Sequence, residues 1–196
     1  MPMEDKTTRP LRRPNRMTTN RRTLGKHIEA VALLPFMVTV AIPAAILYIT
    51  GIDRMALDQP APWSILMLFG AAILLGLGLL LLVTTIRSFE RFGRGTLAPW
   101  SPTQRLVVVG VYRHVRNPMI TGVFCILLAE VLFFGSLAML GWLAVFVVTN
   151  LIYIPLLEEP GLEKRFGGDY SRYKRNVPRW IPRLRPWEGS PPERRS

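Results

Sequence analysis

The chain has 196 residues, enough for one domain or two small ones, yet 49% of them are hydrophobic and the mean hydropathy is +0.25. So apolar a chain carrying 17 prolines is not an ordinary soluble domain. The net charge of +12 could suggest nucleic acid, but the basic residues lie outside the apolar blocks, which points to anionic membrane lipid and to no nucleic acid.

Residues 1–27 are basic and rich in Arg, Pro and Thr, and are expected to form a flexible cytoplasmic tail. They hold no apolar run, and no small-residue cleavage site follows, so a cleaved signal peptide is not expected. The first apolar segment runs from Ile28 to Thr50, with Pro35 and Pro43 inside it. Proline frees a backbone carbonyl and bends a helix, which a membrane bundle tolerates when a neighbour satisfies that group. The second segment, Trp63–Ile86, has no charged side chain and, at ~1.5 Å per residue, crosses a ~30 Å hydrocarbon core. Its Ala72 and Gly76 form a small-xxx-small pair suited to close helix contact.

A polar stretch follows from Arg87 to Arg116, broken by the apolar run Leu106–Val111. Two further apolar blocks, Pro118–Phe134 and Leu137–Leu157, are separated only by Gly135 and Ser136, which forces a tight antiparallel hairpin. Cys125 is the one cysteine and is expected to pack as a small hydrophobe. Glu130 and Asn150 are polar groups inside these blocks, each suited either to a helix–helix hydrogen bond or to a site.

Orientation follows from the loops. Residues 1–26 carry eight Lys or Arg, 51–62 one, 87–117 six, 135–136 none and 158–196 ten. All basic segments on one side require an even number of spans. The expectation is an all-α integral membrane protein with four transmembrane helices and both termini cytoplasmic.

Candidate chemistry falls in the cytoplasmic segments. The string Gly110-Val111-Tyr112-Arg113-His114-Val115-Arg116-Asn117-Pro118-Met119 combines a glycine that permits close backbone approach with an Asn-Pro helix start. Glu158-Glu159 closes the last apolar block, and Leu162, Phe166, Tyr170 and Tyr173 follow on one helical face. That pattern predicts an amphipathic cytoplasmic helix on the membrane surface, broken by Pro160-Gly161 and by Gly167-Gly168. Singly, each piece also reads as a positive-inside anchor, a solvated helix end or an interfacial aromatic.

As an ordered set they mean more. GVYRHVRNPM, a helix hairpin, EExxLxxxFGxxYxxY and the closing VPRWIPR resemble the isoprenylcysteine carboxyl methyltransferase and phospholipid methyltransferase family, in its bacterial membrane form, over residues 87–182. The resemblance makes 87–182 the catalytic half, 28–86 two N-terminal transmembrane helices and 183–196 a flexible tail. It implies S-adenosyl-L-methionine held at the cytoplasmic interface, without a Rossmann domain and without a metal. Gln104, Arg105, Leu106, Val107, Tyr112, Asn117, Pro118, Met119 and Ile120 would line that donor, and Glu158 would take one of its polar groups. Arg116, Asn117 and Glu159 would stand at the reaction, with Asn150 and Ile154 on the acceptor side.

The chain departs from the carboxyl methyltransferase pattern at Ile120, where those enzymes have tyrosine, at Gln104, where they have histidine, and at Ile154, where they carry an arginine. A prenylcysteine carboxylate is therefore not the expected acceptor. The implied function is an S-adenosylmethionine-dependent methyltransferase of a bacterial-type inner membrane, acting on a lipid or other hydrophobic acceptor. If the nucleophile is an amine, Glu159 or His114 is the candidate base. Two alternatives stay open: an NADPH-dependent membrane reductase of the sterol-reductase type, and a non-catalytic membrane protein with a decayed pocket.

Overall fold

The computed structural model describes residues 33–52, 58–92, 106 and 108–189. Every regular element among them is helical, and none is a strand. Helix α1 covers Leu33–Thr50 and contains a π turn at Met37–Ala41. Helix α2 covers Trp63–Phe92, running on past the expected end at Ile86. A 3₁₀ turn at Gly110–Arg113 leads to α3, Pro118–Phe134. Helix α4, Leu137–Tyr153, continues through a π turn at Ile154–Glu158 into α5, Glu159–Phe166, and α6 spans Gly168–Asn176.

Three helical stretches are long and apolar enough to cross a membrane: Leu33–Thr50, Trp63–Ser88 and Leu137–Phe166. The fourth apolar helix, α3, is shorter, with 17 residues. Between α3 and α4, Gly135 takes a left-handed φ of +63°, which lets the chain reverse within two residues.

The core sits where the four long helices meet. Val123 and Leu127 of α3 and Leu143 of α4 are buried together, with Val38 of α1 and Leu82 of α2 packed on them. The closest crossing joins α2 to α3 at two glycines. A Cβ on Gly78 would lie 2.7 Å from the Gly122 carbonyl oxygen, and one on Gly122 would lie 3.0 Å from that of Gly78. The expected pair, Ala72 and Gly76, does not make this contact: Ala72 is exposed, and a Cβ on Gly76 would meet nothing within 4 Å. A small-residue stripe marks a possible seam, while burial on the partner helix decides which small residues occupy it.

Both π turns end two positions before a proline. In α1, the Ile42 amide donates to the Met37 carbonyl, so the Val38 carbonyl falls opposite Pro43, which has no N–H. The Trp142 indole of α4 donates to that carbonyl at 3.1 Å. At Ile154–Glu158 the Glu159 amide donates to the Ile154 carbonyl, and Pro160 follows. The expected break at Pro160-Gly161 therefore does not occur. The wider turn carries the helix through to Phe166, and the chain breaks instead at Gly167, where φ is +54°.

Candidate functional site

The polar centre of the molecule is one carboxylate. Glu159 is 2% exposed and is surrounded by three cations. Arg116 Nη1 donates to Oε1 at 2.9 Å, Arg179 Nε to Oε1 at 2.6 Å, Arg179 Nη2 to Oε2 at 3.0 Å, and Lys174 Nζ lies 3.2 Å from Oε2. The π turn explains why this residue turns inward. Ile154 is 1% exposed, and in a regular α-helix the residue four further on, Glu158, would share its face. With i to i+5 bonding the shared face passes to Glu159, and Glu158 is left exposed.

Around the carboxylate the ionisable groups respond as expected. Its hydrogen bond, then that of Glu163, holds the Lys174 ammonium above its usual range, and the Glu159 bond raises Arg179 likewise. Burial, then the Glu159 charge, pushes the Tyr170 phenol up to about 12. Burial also raises Tyr173 and Tyr112, so all three phenols are neutral donors at physiological pH.

These tyrosines form the second layer. Tyr170, Tyr173 and Val177 are buried together against Leu106, Leu162, Phe166 and Trp187. The Tyr173 hydroxyl donates to the Tyr112 carbonyl at 2.7 Å, fixing the 3₁₀ turn against α6. The segment after α6 is then stitched to the loop before α3. Arg116 N–H donates to the Pro178 carbonyl at 2.9 Å and Arg183 N–H to the His114 carbonyl at 3.0 Å. His114 Nδ1 lies 2.8 Å from the Arg183 carbonyl, the Trp187 N–H donates to the Arg113 carbonyl at 2.9 Å, and the Arg113 side chain returns a bond from Nε to the Trp187 carbonyl at 2.8 Å.

Beside this centre lies a cavity of about 270 Å³ between the first two turns of α3 and the last turns of α4. Ile120, Thr121 and Phe124 line it from α3, Phe146 and Asn150 from α4, and Trp180 from the C-terminal segment.

Of the residues singled out in the sequence, Arg116 and Glu159 touch, and Tyr112, Asn117 and Pro118 lie in the same stretch of loop and helix start. Asn117 caps α3 with its backbone carbonyl, which accepts from Thr121, and its side chain makes no cap bond. Met119 and Ile120 are half-buried, and Ile120 and Asn150 line the cavity. Ile154 is buried but is not one of the cavity walls. Leu106 packs on the tyrosine cluster, whereas Gln104, Arg105 and Val107 lie outside the described residues. Glu130 has one buried oxygen, Oε2, without a partner among the described residues, well away from this cluster along α3.

Sequence reasoning missed Arg179, Lys174 and Trp180. A glutamate at a membrane helix end needs cations to balance it, and the basic run after Tyr170 was the signal available.

Comparison with known proteins fits this architecture. A family model described as phospholipid methyltransferase matches residues 66–169, just over half of the chain. The chain belongs to the phospholipid methyltransferase family. It is similar to a methanethiol S-methyltransferase of Pseudomonas deceptionensis, 34% identical over 142 residues, covering 65% of this chain and 52% of that protein. It thus spans about half the length of that relative. An uncharacterized protein of Haemophilus influenzae is 44% identical over 64 residues, covering 32% of this chain and all of that protein.

Proposed function

We propose that the protein is an S-adenosylmethionine-dependent membrane methyltransferase whose acceptor is a lipid or other hydrophobic molecule. The observation that carries this reading is the juxtaposition of the ionic cluster around Glu159 with the apolar cavity at Ile120 and Trp180, in a chain of this family. The family match favours a transferase over a reductase.

The residues present suit such a donor. Arg116 Nε is buried and without a partner among the described residues, so it is free to donate to a carboxylate. The exposed Glu158 carboxylate is available to an ammonium or a ribose hydroxyl. Asn117, Pro118 and Met119 form the adjoining helix start. Bound there, S-adenosylmethionine supplies an electrophilic methyl on a sulfonium. The protein's part would be to orient the acceptor and keep water out, a task to which the apolar walls of the cavity are suited.

The roles first given to the glutamates are redistributed on this reading. Glu159, held by three cations, is a positioning residue that fixes the site and not a base, because its lone pairs are already engaged. Arg116 and Asn117 remain the residues nearest the donor, with Asn150 on the acceptor side.

We read the chain as four spans, with α3 as the short third one, both termini cytoplasmic, in a bacterial-type inner membrane. The basic segments on the cytoplasmic side would then face anionic lipid. A sulfur acceptor is the second reading, favoured by the name of the Pseudomonas deceptionensis relative.

The test is to incubate purified protein in nanodiscs with isotopically labelled S-adenosylmethionine and, separately, total membrane lipid, small neutral thiols and a farnesylcysteine analogue. Label is expected in a lipid or thiol product and not in the farnesylcysteine ester. Robust turnover of the farnesylcysteine carboxylate would overturn the assignment of acceptor class, and no transfer to any acceptor would overturn the reading as an enzyme.

A further inference from the structure

The cavity beside α3 and α4 has no charged side chain among the described residues that line it. Its two polar side chains on the helices are partly spent at home. Thr121 Oγ1 donates to the Asn117 carbonyl at 3.0 Å, and Asn150 Nδ2 to the Phe146 carbonyl at 2.8 Å. Among the described lining residues, what remains for an occupant is the Asn150 amide oxygen, a hydrogen-bond acceptor, and the Trp180 indole N–H, a donor. Arg179, next in the chain to Trp180, has its guanidinium committed to both oxygens of Glu159. A charged or zwitterionic group placed here would lose its water and find no counter-ion among the described lining residues.

Size narrows the class further. An apolar cavity of about 150 Å³ accepts benzene, so one of about 270 Å³ holds on the order of ten heavy atoms. Trp180 is the wall that could enlarge this space, because it comes from the C-terminal segment and not from a helix core. That segment is pinned on both sides of the indole. Arg116 N–H bonds the Pro178 carbonyl, Arg179 grips Glu159, and Arg183 N–H bonds the His114 carbonyl. The indole is therefore a fixed boundary and not a flap.

Resting on the methyltransferase reading, we propose that this cavity is the acceptor site, that it takes an uncharged apolar molecule of about ten heavy atoms, and that Trp180 sets the limit. On this proposal the Asn150 amide oxygen accepts from a polar hydrogen of that molecule, an S–H, O–H or N–H. Among the described residues, none that lines the cavity carries a charge to partner a phospholipid headgroup.

The test uses the full chain in nanodiscs and straight-chain alcohols carrying a terminal diazirine, from about four to about sixteen carbons, bracketing the size limit. After irradiation, labelled residues are mapped by mass spectrometry. Short members are expected to label Phe124 and Phe146 saturably, and labelling should fall about tenfold once the chain outgrows the cavity. Trp180→Ala should move the limit to longer chains, and Trp180→Phe, which keeps a ring and serves if the alanine variant does not fold, should move it less. An unmoved limit in a folded variant would overturn Trp180 as the boundary. Saturable labelling of the same walls by an ammonium-tipped probe or a diazirine phosphatidylcholine would overturn the acceptor class. Labelling needs no methyl donor, so intact labelling without methyl transfer would count against the enzymatic reading alone.

Discussion

Arg179 holds both carboxylate oxygens of Glu159, Nε to Oε1 at 2.6 Å and Nη2 to Oε2 at 3.0 Å. The two residues are 20 positions apart, one at the start of α5 and the other beyond α6. Arg116 reaches the same carboxylate from the loop before α3. One buried charge thus ties together three stretches of chain that hydropathy leaves unrelated.

Removing that charge should be costly, because it strands buried arginine. Glu159→Ala is expected to lower stability by ~3–5 kcal/mol, read from unfolding in detergent. Glu158→Ala, at an exposed neighbour, should leave stability within ~0.5 kcal/mol. The same Glu158→Ala change should weaken S-adenosylmethionine binding by ~1.5–3 kcal/mol in calorimetry, the range for a hydrogen bond to a charged group. Equal stability losses at the two glutamates would mean that the register set by the π turn is wrong.

The crossing of α2 and α3 gives a cleaner contrast between two glycines on one helix. Gly78→Ala sets a methyl 2.6 Å from Ile126 Cγ1 and 2.7 Å from the Gly122 carbonyl oxygen, so the helices must part. A loss of ~1–3 kcal/mol is expected. Gly76→Ala meets nothing within 4 Å and should be neutral or stabilising by up to ~1 kcal/mol through helix propensity. Thermal unfolding of the two variants side by side decides it.

Alkaline pH should loosen the tyrosine layer. Tyr170 is raised to about 12, and Tyr112 and Tyr173 also lie above their ordinary value, chiefly through burial. A phenol with a raised folded value contributes stability that is complete below pH ~10 and is lost as pH climbs through the folded value. Unfolding temperature should therefore fall between pH ~10 and pH ~12, and fall less steeply in Tyr170→Phe. A decline of the same steepness in both proteins would remove Tyr170 from the explanation.

Topology can be read directly. Reporter fusions at residue 57 should report the outside, and fusions at 100 and 190 the cytoplasm. An external residue 100 would undo both the four-span arrangement and the side on which the donor is proposed to bind.

Much of the helical layout was legible because hydropathy and turn chemistry act locally. The α3–α4 hairpin follows from two apolar blocks joined by Gly135 and Ser136, and the start of α3 follows from Pro118. The family was legible in ordered motifs, although the matched region begins at residue 66, inside α2, where the sequence offered only hydropathy. What escaped was register. Pro160-Gly161 looked like a helix break because local propensity says nothing of a π turn, and that one turn exchanges the inward roles of Glu158 and Glu159. The close crossing at Gly78 and Gly122 depends on which faces two helices present to each other. The grip of Arg179 on Glu159 depends on where the chain returns after α6. Neither is written in a window of neighbouring residues.

The hydrogen bond from the Trp142 indole to the Val38 carbonyl bears on how interchangeable the first helix is. Val38 lies outside the region matched by the family, and Trp142 lies inside it. In hydrocarbon an unmet N–H or C=O costs several kcal/mol, so each of these two groups needs the other. A foreign leading helix grafted onto residues 63–189 would have to present a free carbonyl at the same depth, which an uninterrupted helix cannot do. Chimeras whose donor helix keeps a proline at the position of Pro43 should accumulate in the membrane, and those with a straight poly-leucine segment should be cleared by quality-control proteases.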